Sequence, residues 1–515
     1  MSPNTASDRA LVRNVVIVGG GTSGWMCAAA IARMAPPGLT VTLVESEEIG
    51  TIGVGEATIP TLIEFNRFLG LNENDVLRYC GGTFKLGIEF VDWLGAGERY
   101  FHPFGLFGRD TPEFAFHQLW LRLKAMSENG AAPADTAGRI HDYNLCSVAA
   151  ARGRFSPPSM ESDTILSTMR HAYHFDANLY GQLLRGYAEQ KNVRRVEGKV
   201  VDVARDPELG LIRSVSLSDG RAIAGDLFID CSGFRSLLIG DALGSDFIDW
   251  SHYLPCDRAL AFPTARIGSA VPFTRATADR AGWRWQIPLQ QRSGNGYVYA
   301  SDFIDEQEAL RQLLDSAEGT PLADPRPLRF RTGHRRVFWE KNCIAIGLAG
   351  GFIEPLESTS IHLAQVGIQR LINLWPGRGV NAAEVAHYNR AMRMDYERIR
   401  DFIVLHYHAA QRSDSEFWRY VGNMEIPDTL ASRLDMFRAN GRIIPDPEDL
   451  FTEHSWLAVM LGQGIKPRNY DALVSRIPER ALIYNMRQLK DAVEKTAMSL
   501  PTHQDYIDRH CAVRV

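Results

Sequence analysis

Four apolar, mostly β-branched residues, Val15-Val16-Ile17-Val18, run into a glycine cluster and then into Met26-Cys27-Ala28-Ala29-Ala30-Ile31-Ala32. This order predicts a buried strand, a tight turn and a helix. The apolar run Leu39 to Val44 predicts a second strand, closed by Glu45. Thr61 to Leu69 has helical spacing, and Val193 to Val203 reads as a strand. Leu227-Phe228-Ile229-Asp230 is a strand expected to return beside the first one. Gly282-Trp283-Arg284-Trp285-Gln286-Ile287-Pro288 alternates, which places Trp283, Trp285 and Ile287 on one face. Cys343 to Ile346 is another strand into glycines, followed by a helix from about Leu363 and a long helix over residues 382–410. Residues from about 103 to 158 are rich in Gly, Pro and Ala with few clear periods, and are expected to form an insertion over the core.

The turn after the first strand holds Gly19-Gly20-Gly21-Thr22-Ser23-Gly24, which contains G-x-G-x-x-G. Glycine permits the turn, the approach of a pyrophosphate and the packing of helix on strand, while the helix N-terminus faces the phosphates. An ordinary glycine turn would explain the glycines alone. It does not explain their place between strand and helix, with an acid, Glu45, 26 residues beyond Gly19 where a ribose hydroxyl needs an acceptor. The loop Gly50 to Pro60 carries three more glycines in six residues, suited to a second backbone approach to the same cofactor.

Other candidates have bland readings beside functional ones. Lys85 among apolar neighbours reads, by itself, as a lysine snorkelling from a strand end. Tyr100-Phe101-His102-Pro103-Phe104-Gly105 is an aromatic cluster in a turn, and packing accounts for it. Thr359 and Ser360 lie where a helix N-cap belongs; capping and anion binding can coexist there.

Composition narrows the class. A chain of 515 residues is too long for one compact core. Its 45% hydrophobic and 23% charged residues are ordinary for a globular protein, and a net charge of -5 argues against nucleic acid or an anionic membrane surface as partner. Seven scattered cysteines without a C-x-x-C pair point to reduced thiols in a cytoplasm, and no metal site is expected. The polar start, Met1 to Arg13, lacks the apolar core of a signal peptide, and no apolar run could span a bilayer.

Taken together, these pieces resemble the flavin-dependent tryptophan halogenases over nearly the whole chain. The marks are Gly19 to Trp25, Gly53-Val54-Gly55-Glu56-Ala57-Thr58-Ile59-Pro60, Phe84-Lys85, His102-Pro103-Phe104, the W-x-W-x-I-P of Trp283, Trp285, Ile287 and Pro288, and Glu354-Pro355-Leu356-Glu357-Ser358-Thr359. The resemblance implies an α/β fold with a Rossmann-like FAD core of the flavin-monooxygenase type, a sheet-rich substrate region and a helical C-terminal subdomain. The expected division is 12–375 and 376–515. It implies FAD, used as FADH2, with O2 and a bromide or chloride ion that becomes hypohalous acid and travels an internal tunnel. Lys85 then matches the catalytic lysine, which hydrogen-bonds the oxidant or becomes a haloamine. Glu357 matches the carboxylate that positions the oxidant and takes the arenium proton. Thr359 and Ser360 match the halide site, with Ser360 standing where the family usually has glycine. His102 and Phe104 match residues that flank an indole ring. Gly19, Gly20, Gly21, Thr22, Ser23, Gly24, Glu45, Ser46, Glu56, Ala57, Val200, Leu348 and Ile361 are the implied cofactor contacts.

One stretch departs from the family. The segment that grips the amino and carboxyl groups of tryptophan corresponds here to Arg442 to Trp456, which is shortened and lacks the paired tyrosines and the Phe-Trp pair. A zwitterion would be left with unpaired charges, so indole or an indole derivative is the expected substrate. No NAD(P)H site is evident, so a separate flavin reductase is the expected partner. Two other readings are a flavin monooxygenase that inserts oxygen, and a non-catalytic binding protein on a flavin scaffold.

Overall fold

The computed structural model describes residues 12–48, 55–377 and 380–514. The chain forms two compact units, each woven from three segments: 1–80, 175–257 and 329–397 in the first; 81–174, 258–328 and 398–515 in the second. This partition differs from a cut at 375/376, because the chain leaves and re-enters the nucleotide sheet twice.

In the first unit, six strands lie in the order 339–340, 343–345, 227–230, 14–18, 40–45 and 194–197. Asn14–Val18 is flanked by parallel partners, with Val15 opposite Leu227 on one side and Val41 on the other. The strand expected to return beside the first one does so. Its lead-in is pinned by Asp226, whose carboxylate accepts from the backbone N–H groups of Arg13 and Asn14 at 2.9 Å each. Parallel strands are covered on both faces and so read as unbroken apolar runs; Val15 to Val18 are all buried.

Gly19 and Gly24 make the strand–helix junction possible. Gly19 has φ +113°, and a Cβ there would strike the Cys231 carbonyl. A Cβ on Gly24, inside the helix Thr22–Met34, would strike the carbonyl of Gly19. The helix thus rests on the turn at backbone distance. The predicted strand 193–203 is two strands, Arg194–Glu197 in the large sheet and Val200–Arg205 in a three-stranded antiparallel sheet. The break falls at Gly198, whose φ is +154°.

The second unit is built on a seven-stranded sheet in the order 326–329, 258–265, 292–299, 282–288, 274–279, 87–91 and 99–103. The alternating strand Gly282–Pro288 lies near its centre, with Trp283, Trp285 and Ile287 buried as the pattern predicts. The aromatic cluster 100–105 is not a turn: Arg99–Pro103 is the sheet's edge strand. The stretch 103–158 is also more regular than its composition, with helices Phe116–Glu128 and Leu145–Ala151. Buried polar residues mask the first helix in the sequence. His117 and Gln118 bond the Gly441 carbonyl at 2.7 and 2.8 Å. Arg122 donates to the carbonyls of Val474 and Ile477 at 2.7 and 2.6 Å. Among the described residues, six helices of at least eight residues follow from Ala382–His408 to His503–His510, with a short 3₁₀ turn among them.

Because backbone faces backbone at Gly24, Gly24→Ala is expected to destabilise the first unit by about 1–3 kcal/mol, the usual cost of overpacking a tight core. A urea titration should show a lower midpoint with an unchanged slope; an unmoved midpoint would refute the close packing.

Candidate active site

The four glycines of the turn divide the work. Gly19 and Gly24 are required by packing. Gly20 is required by Glu45, whose carboxylate folds onto the place a Cβ would take. A Cβ on Gly21 meets nothing within 4 Å. Gly21 therefore borders open space in front of the helix, and it occupies the N-cap position without any side-chain cap. A helix N-terminus whose first amides lack a cap, next to a backbone that can be approached closely, is what a pyrophosphate requires. The residues present fit FAD here.

Glu45 closes its strand as expected, but it already has cationic partners. Its Oε1 pairs with Arg195 and lies 3.7 Å from Arg185. Arg195, on the neighbouring strand, also reaches Glu47 and Glu197. A carboxylate has about four acceptor positions, so an ion pair leaves capacity for a ribose hydroxyl. No motif in the sequence announces Arg195; parallel pairing of 42–45 with 194–197 creates that contact. Thr22 donates to Ala177 at 3.4 Å, and Ser23 packs on Gly347, which has φ +70°. That contact brings the Gly347–Ala349 turn, with Leu348, to the start of the helix. Ser46 accepts from the Glu48 amide at 3.4 Å. Val200 is packed into the hydrophobic core with Val215 and Leu217. Burial pushes the Glu56 carboxyl up to about 7, and Ala57 and Ile361 are buried. The cofactor loop expected at residues 50–54 lies outside the described residues.

The glutamate segment is a tight device. A 3₁₀ turn, Pro355–Glu357, ends at Ser358 with φ +62°, and the helix Ser360–Asn373 begins two residues later. A non-glycine residue in the left-handed region costs about 1–3 kcal/mol and persists where the surroundings enforce it. Glu357, Glu354 and Thr359 are all buried. Thr359 occupies the N-cap position, yet its side chain makes no cap bond, and its fully buried Oγ1 has no hydrogen-bond partner among the described residues. Plain capping is thereby excluded as its role. A buried hydroxyl and helix-start amides together can donate to a small anion.

In the second unit, Lys85 ends the short strand Thr83–Lys85. It is completely buried, so the snorkelling reading fails. Its Nζ lies 5.4 Å from the centroid of the Phe104 ring, which brings two predicted residues together through a cation–π contact. The strand is tied to the W-x-W-x-I-P element: Thr83 donates to the Pro288 carbonyl at 2.7 Å. The rings of Trp283 and Trp285 are 6.1 Å apart.

His102 faces an aromatic cluster that the sequence did not reveal. Its ring is 5.6 Å from Phe402 and 6.3 Å from Phe451. Phe402 stacks on Phe451 at 3.9 Å and meets Trp456 edge-on at 5.0 Å. Phe451 and Trp456 belong to the shortened segment, so that segment supplies aromatic wall although its polar grip is changed. Three of its four acids are paired with arginines from elsewhere in the second unit. Arg398 reaches Asp446 at 2.8 Å, Glu448 at 3.2 Å and Asp449 at 3.2 Å. Arg433 pairs with Asp449 and lies over the Trp456 ring at 4.6 Å. At the end of the segment, Asp110, Glu453 and His454 place ligand-type atoms within 4.8 Å of one another. Burial and a hydrogen bond with Asp110 push the Glu453 carboxyl up to about 7, the mark of two carboxyls sharing a proton.

Comparison with known proteins agrees with this chemistry. The tryptophan halogenase family profile matches residues 14–479. A 7-chloro-L-tryptophan 6-halogenase, KtzR of Kutzneria sp., is 35% identical, covering 96% of this chain and 99% of its own. Among solved structures, the flavin-dependent halogenase Xcc4156 from Xanthomonas campestris superposes with a TM-score of 0.93 at 44% identity, over 98% of this chain and 99% of that one. BrvH, a flavin-dependent halogenase from Brevundimonas sp. BAL3, gives 0.91 at 41% identity, over 97% and 99%. The matches are to halogenases along nearly the entire length, which sets aside the monooxygenase and binding-protein readings. Among the described residues, no helix is long and apolar enough to cross a membrane. The chain belongs to the tryptophan halogenase family and is a flavin-dependent halogenase.

Proposed function

We propose that this halogenase uses O2 and bromide or chloride to halogenate an electron-rich aromatic compound without a zwitterionic tail, indole or an indole derivative. The observation that carries the substrate reading is the arginine pairing of the acids in residues 446–449. Asp446, Glu448 and Asp449 are engaged by Arg398 and Arg433. Carboxylates held in this way are poor partners for a substrate ammonium, while the neighbouring rings of His102, Phe402, Phe451 and Trp456 suit a flat apolar body. A tryptophan relative's substrate carries charges that need partners, and each unpaired charge costs at least about 1–3 kcal/mol.

Reduced FAD supplies the two electrons that, with O2 and a proton, turn a halide ion into hypohalous acid. The chain's own residues act before and after that event. Gly21 and the amides of the following helix hold the cofactor's phosphates. Thr359, with Ser360, binds the halide. Lys85 receives the oxidant, either by donating a hydrogen bond to it or by forming an N–X bond with loss of water. The aromatic carbon then takes the halogen, and Glu357 takes the ring proton displaced from that carbon. A carboxylate also steadies the cationic ring while it lasts. Holding a diffusible oxidant at one amine is a proximity effect, and it sets which carbon reacts. Reduced flavin comes from a separate NAD(P)H-dependent reductase. Seven buried thiols with no disulfide among them suit a cytoplasm.

Three outcomes test this reading. Gly21→Val should fill the space before the helix and abolish FAD binding in a fluorescence titration, with the far-UV spectrum unchanged; tight binding by the variant would place the cofactor elsewhere. Lys85→Ala should retain FAD binding and reduced-flavin oxidation but lose halogenated product by at least about 100-fold, within the range for removing a group made for the transition state. Normal halogenation by that variant would remove Lys85 from the mechanism.

The third outcome concerns substrate. With equal indole and tryptophan in one vessel, indole should win by roughly 10- to 10⁴-fold in kcat/KM, the equivalent of one to two unpaired charges at about 1.4 kcal/mol per tenfold. Halogen should fall on C3, the electronically favoured carbon, because no side-chain anchor turns another carbon toward Lys85. Bromide should serve at least as well as chloride, since it is the easier ion to oxidise. A preference for tryptophan, with halogen on its benzene ring, would overturn the substrate assignment.

A further inference from the structure

Two histidines with no assigned role flank the strand that carries Lys85, and the hydrogen bonds around each decide its tautomer. His174 lies directly opposite Thr83 in the antiparallel pair formed by Thr83–Lys85 and Ala172–His174. Its Nδ1 is 2.9 Å from Thr83 Oγ1, and its Nε2 is 2.9 Å from Thr274 Oγ1. Thr83 has a single hydroxyl hydrogen, which it donates to the Pro288 carbonyl. Thr83 can therefore only accept from His174, so Nδ1 carries the hydrogen. Nε2 is left as the acceptor for the Thr274 hydroxyl.

His503 reaches the same strand from the helix His503–His510 and repeats the pattern. Its Nδ1 is 2.8 Å from the Ala270 carbonyl, which can only accept. Its Nε2 lies 3.1 Å from the Phe84 amide, which can only donate. Nδ1 is again the protonated nitrogen and Nε2 again the acceptor. Protonating this ring would set an N–H against an N–H. At His174 a second ring proton would force the Thr274 hydroxyl to give up its bond and turn round.

The arrangement follows from the strand's geometry. Thr83 and Lys85 lie on one face, two residues apart, so His174 opposite Thr83 shares a face with Lys85. The Phe84 amide points the other way, where no strand pairs with it, and His503 takes the place of the missing partner. The titratable and charged groups acting on His174 are Lys85 and His503; Arg266 acts on His503.

We propose that His174 and His503 are positioning residues, each wired as a neutral Nδ1–H imidazole, that fix the Lys85 strand without adding a second positive charge beside its amine. The role assigned to them rests on Lys85 being the residue that meets the oxidant; the wiring itself does not. Burial agrees with the wiring. It holds His174 well below the usual histidine range, with Lys85 and His503 adding to the effect, and it draws His503 down to about 4. The W-x-W-x-I-P element thereby gains a function beyond its aromatic wall: the carbonyl of its proline sets the tautomer of His174 through Thr83.

The test is ¹⁵N NMR of the histidine side chains in the intact protein, with His174 and His503 assigned by loss of signal in His174→Gln and His503→Gln. Both rings should show the neutral Nδ1–H pattern, unchanged from pH 6 to pH 9, a window of about three units around the ordinary histidine value. Thr83→Val should switch His174 to the Nε2–H tautomer, while Thr83→Ser should leave it in the Nδ1–H form. His174→Gln supplies a donor and an acceptor without charge, and its normalised pH profile should overlay that of the parent. Titration of either ring in that window, an Nε2–H tautomer in the parent, or a limb of the profile that vanishes in His174→Gln would overturn the proposal. If Thr83→Val does not fold, the spectra of the parent and of Thr83→Ser still decide it. Halogenation that survives Lys85→Ala would refute the role of Lys85 and leave the tautomers standing, so the two failures are distinguishable.

Discussion

Burying the amine of Lys85 is the demanding step in this architecture. A lysine side chain rarely leaves water, because an ammonium without compensation costs several kcal/mol to desolvate. The strand that carries it is only three residues long, too short to hold itself in place. Its stability is borrowed. One edge pairs with residues 172–174, the Thr83 hydroxyl is fastened to Pro288, and the Phe84 amide is fastened to His503. The Phe84 ring stacks on Phe155 at 4.0 Å and meets Tyr506 edge-on at 5.3 Å. These contacts fix the backbone at Lys85 and the two residues before it, and its amine faces the Phe104 ring. The result is an amine whose position is set by rigid neighbours, as the proposed delivery of a halogen to one carbon requires.

The first unit solves the opposite problem, since it must bring charge close to backbone. Gly19, Gly20 and Gly24 are each consumed by a close internal contact, and only Gly21 borders open space. A fingerprint of this kind is therefore mostly a packing motif with a single binding position. It is legible in sequence because its glycines stand at fixed spacing between strand and helix, although only the Gly24 contact, on Gly19, lies within that unit; Gly19 and Gly20 are held by Cys231 and Glu45. Apolar strands, the helix Thr61–Leu69 and the alternation of Gly282–Pro288 were legible because each rests on neighbours in the chain.

What could not be read from the chain is what depends on distant partners. Arg195 meets Glu45 across a span of 150 residues, through parallel strand pairing. His503 meets Phe84 across 419 residues. The helix Phe116–Glu128 is amphipathic in structure but not in composition, because His117, Gln118 and Arg122 are buried against carbonyls that the sequence does not place nearby. Resemblance placed Lys85 and Glu357, but the physical qualities of their surroundings came only with coordinates: the full burial of Lys85, the left-handed Ser358 and the unpartnered hydroxyl of Thr359.

On the proposed reading, the segment 442–456 changes specificity without losing its aromatic wall. Its aromatic residues Phe451 and Trp456 remain in contact with the ring of Phe402, while Asp446, Glu448 and Asp449 are committed to Arg398 and Arg433. Apolar contact discriminates weakly between related rings, whereas charges that lack partners discriminate strongly. On the proposed reading, removing the polar partners of a zwitterion would reject tryptophan more than it weakens indole, and would need no new contact to do so. The arginine pairing does more than occupy the acids. Asp449 is almost wholly buried, and an unpaired carboxylate there would destabilise the segment itself. Arg433 meanwhile lies over Trp456 and so joins the charge network to the aromatic wall. On that reading, substrate choice and the stability of this segment rest on the same two arginines, and a substitution that opened the acids to a substrate ammonium would loosen the wall on which the ring must rest.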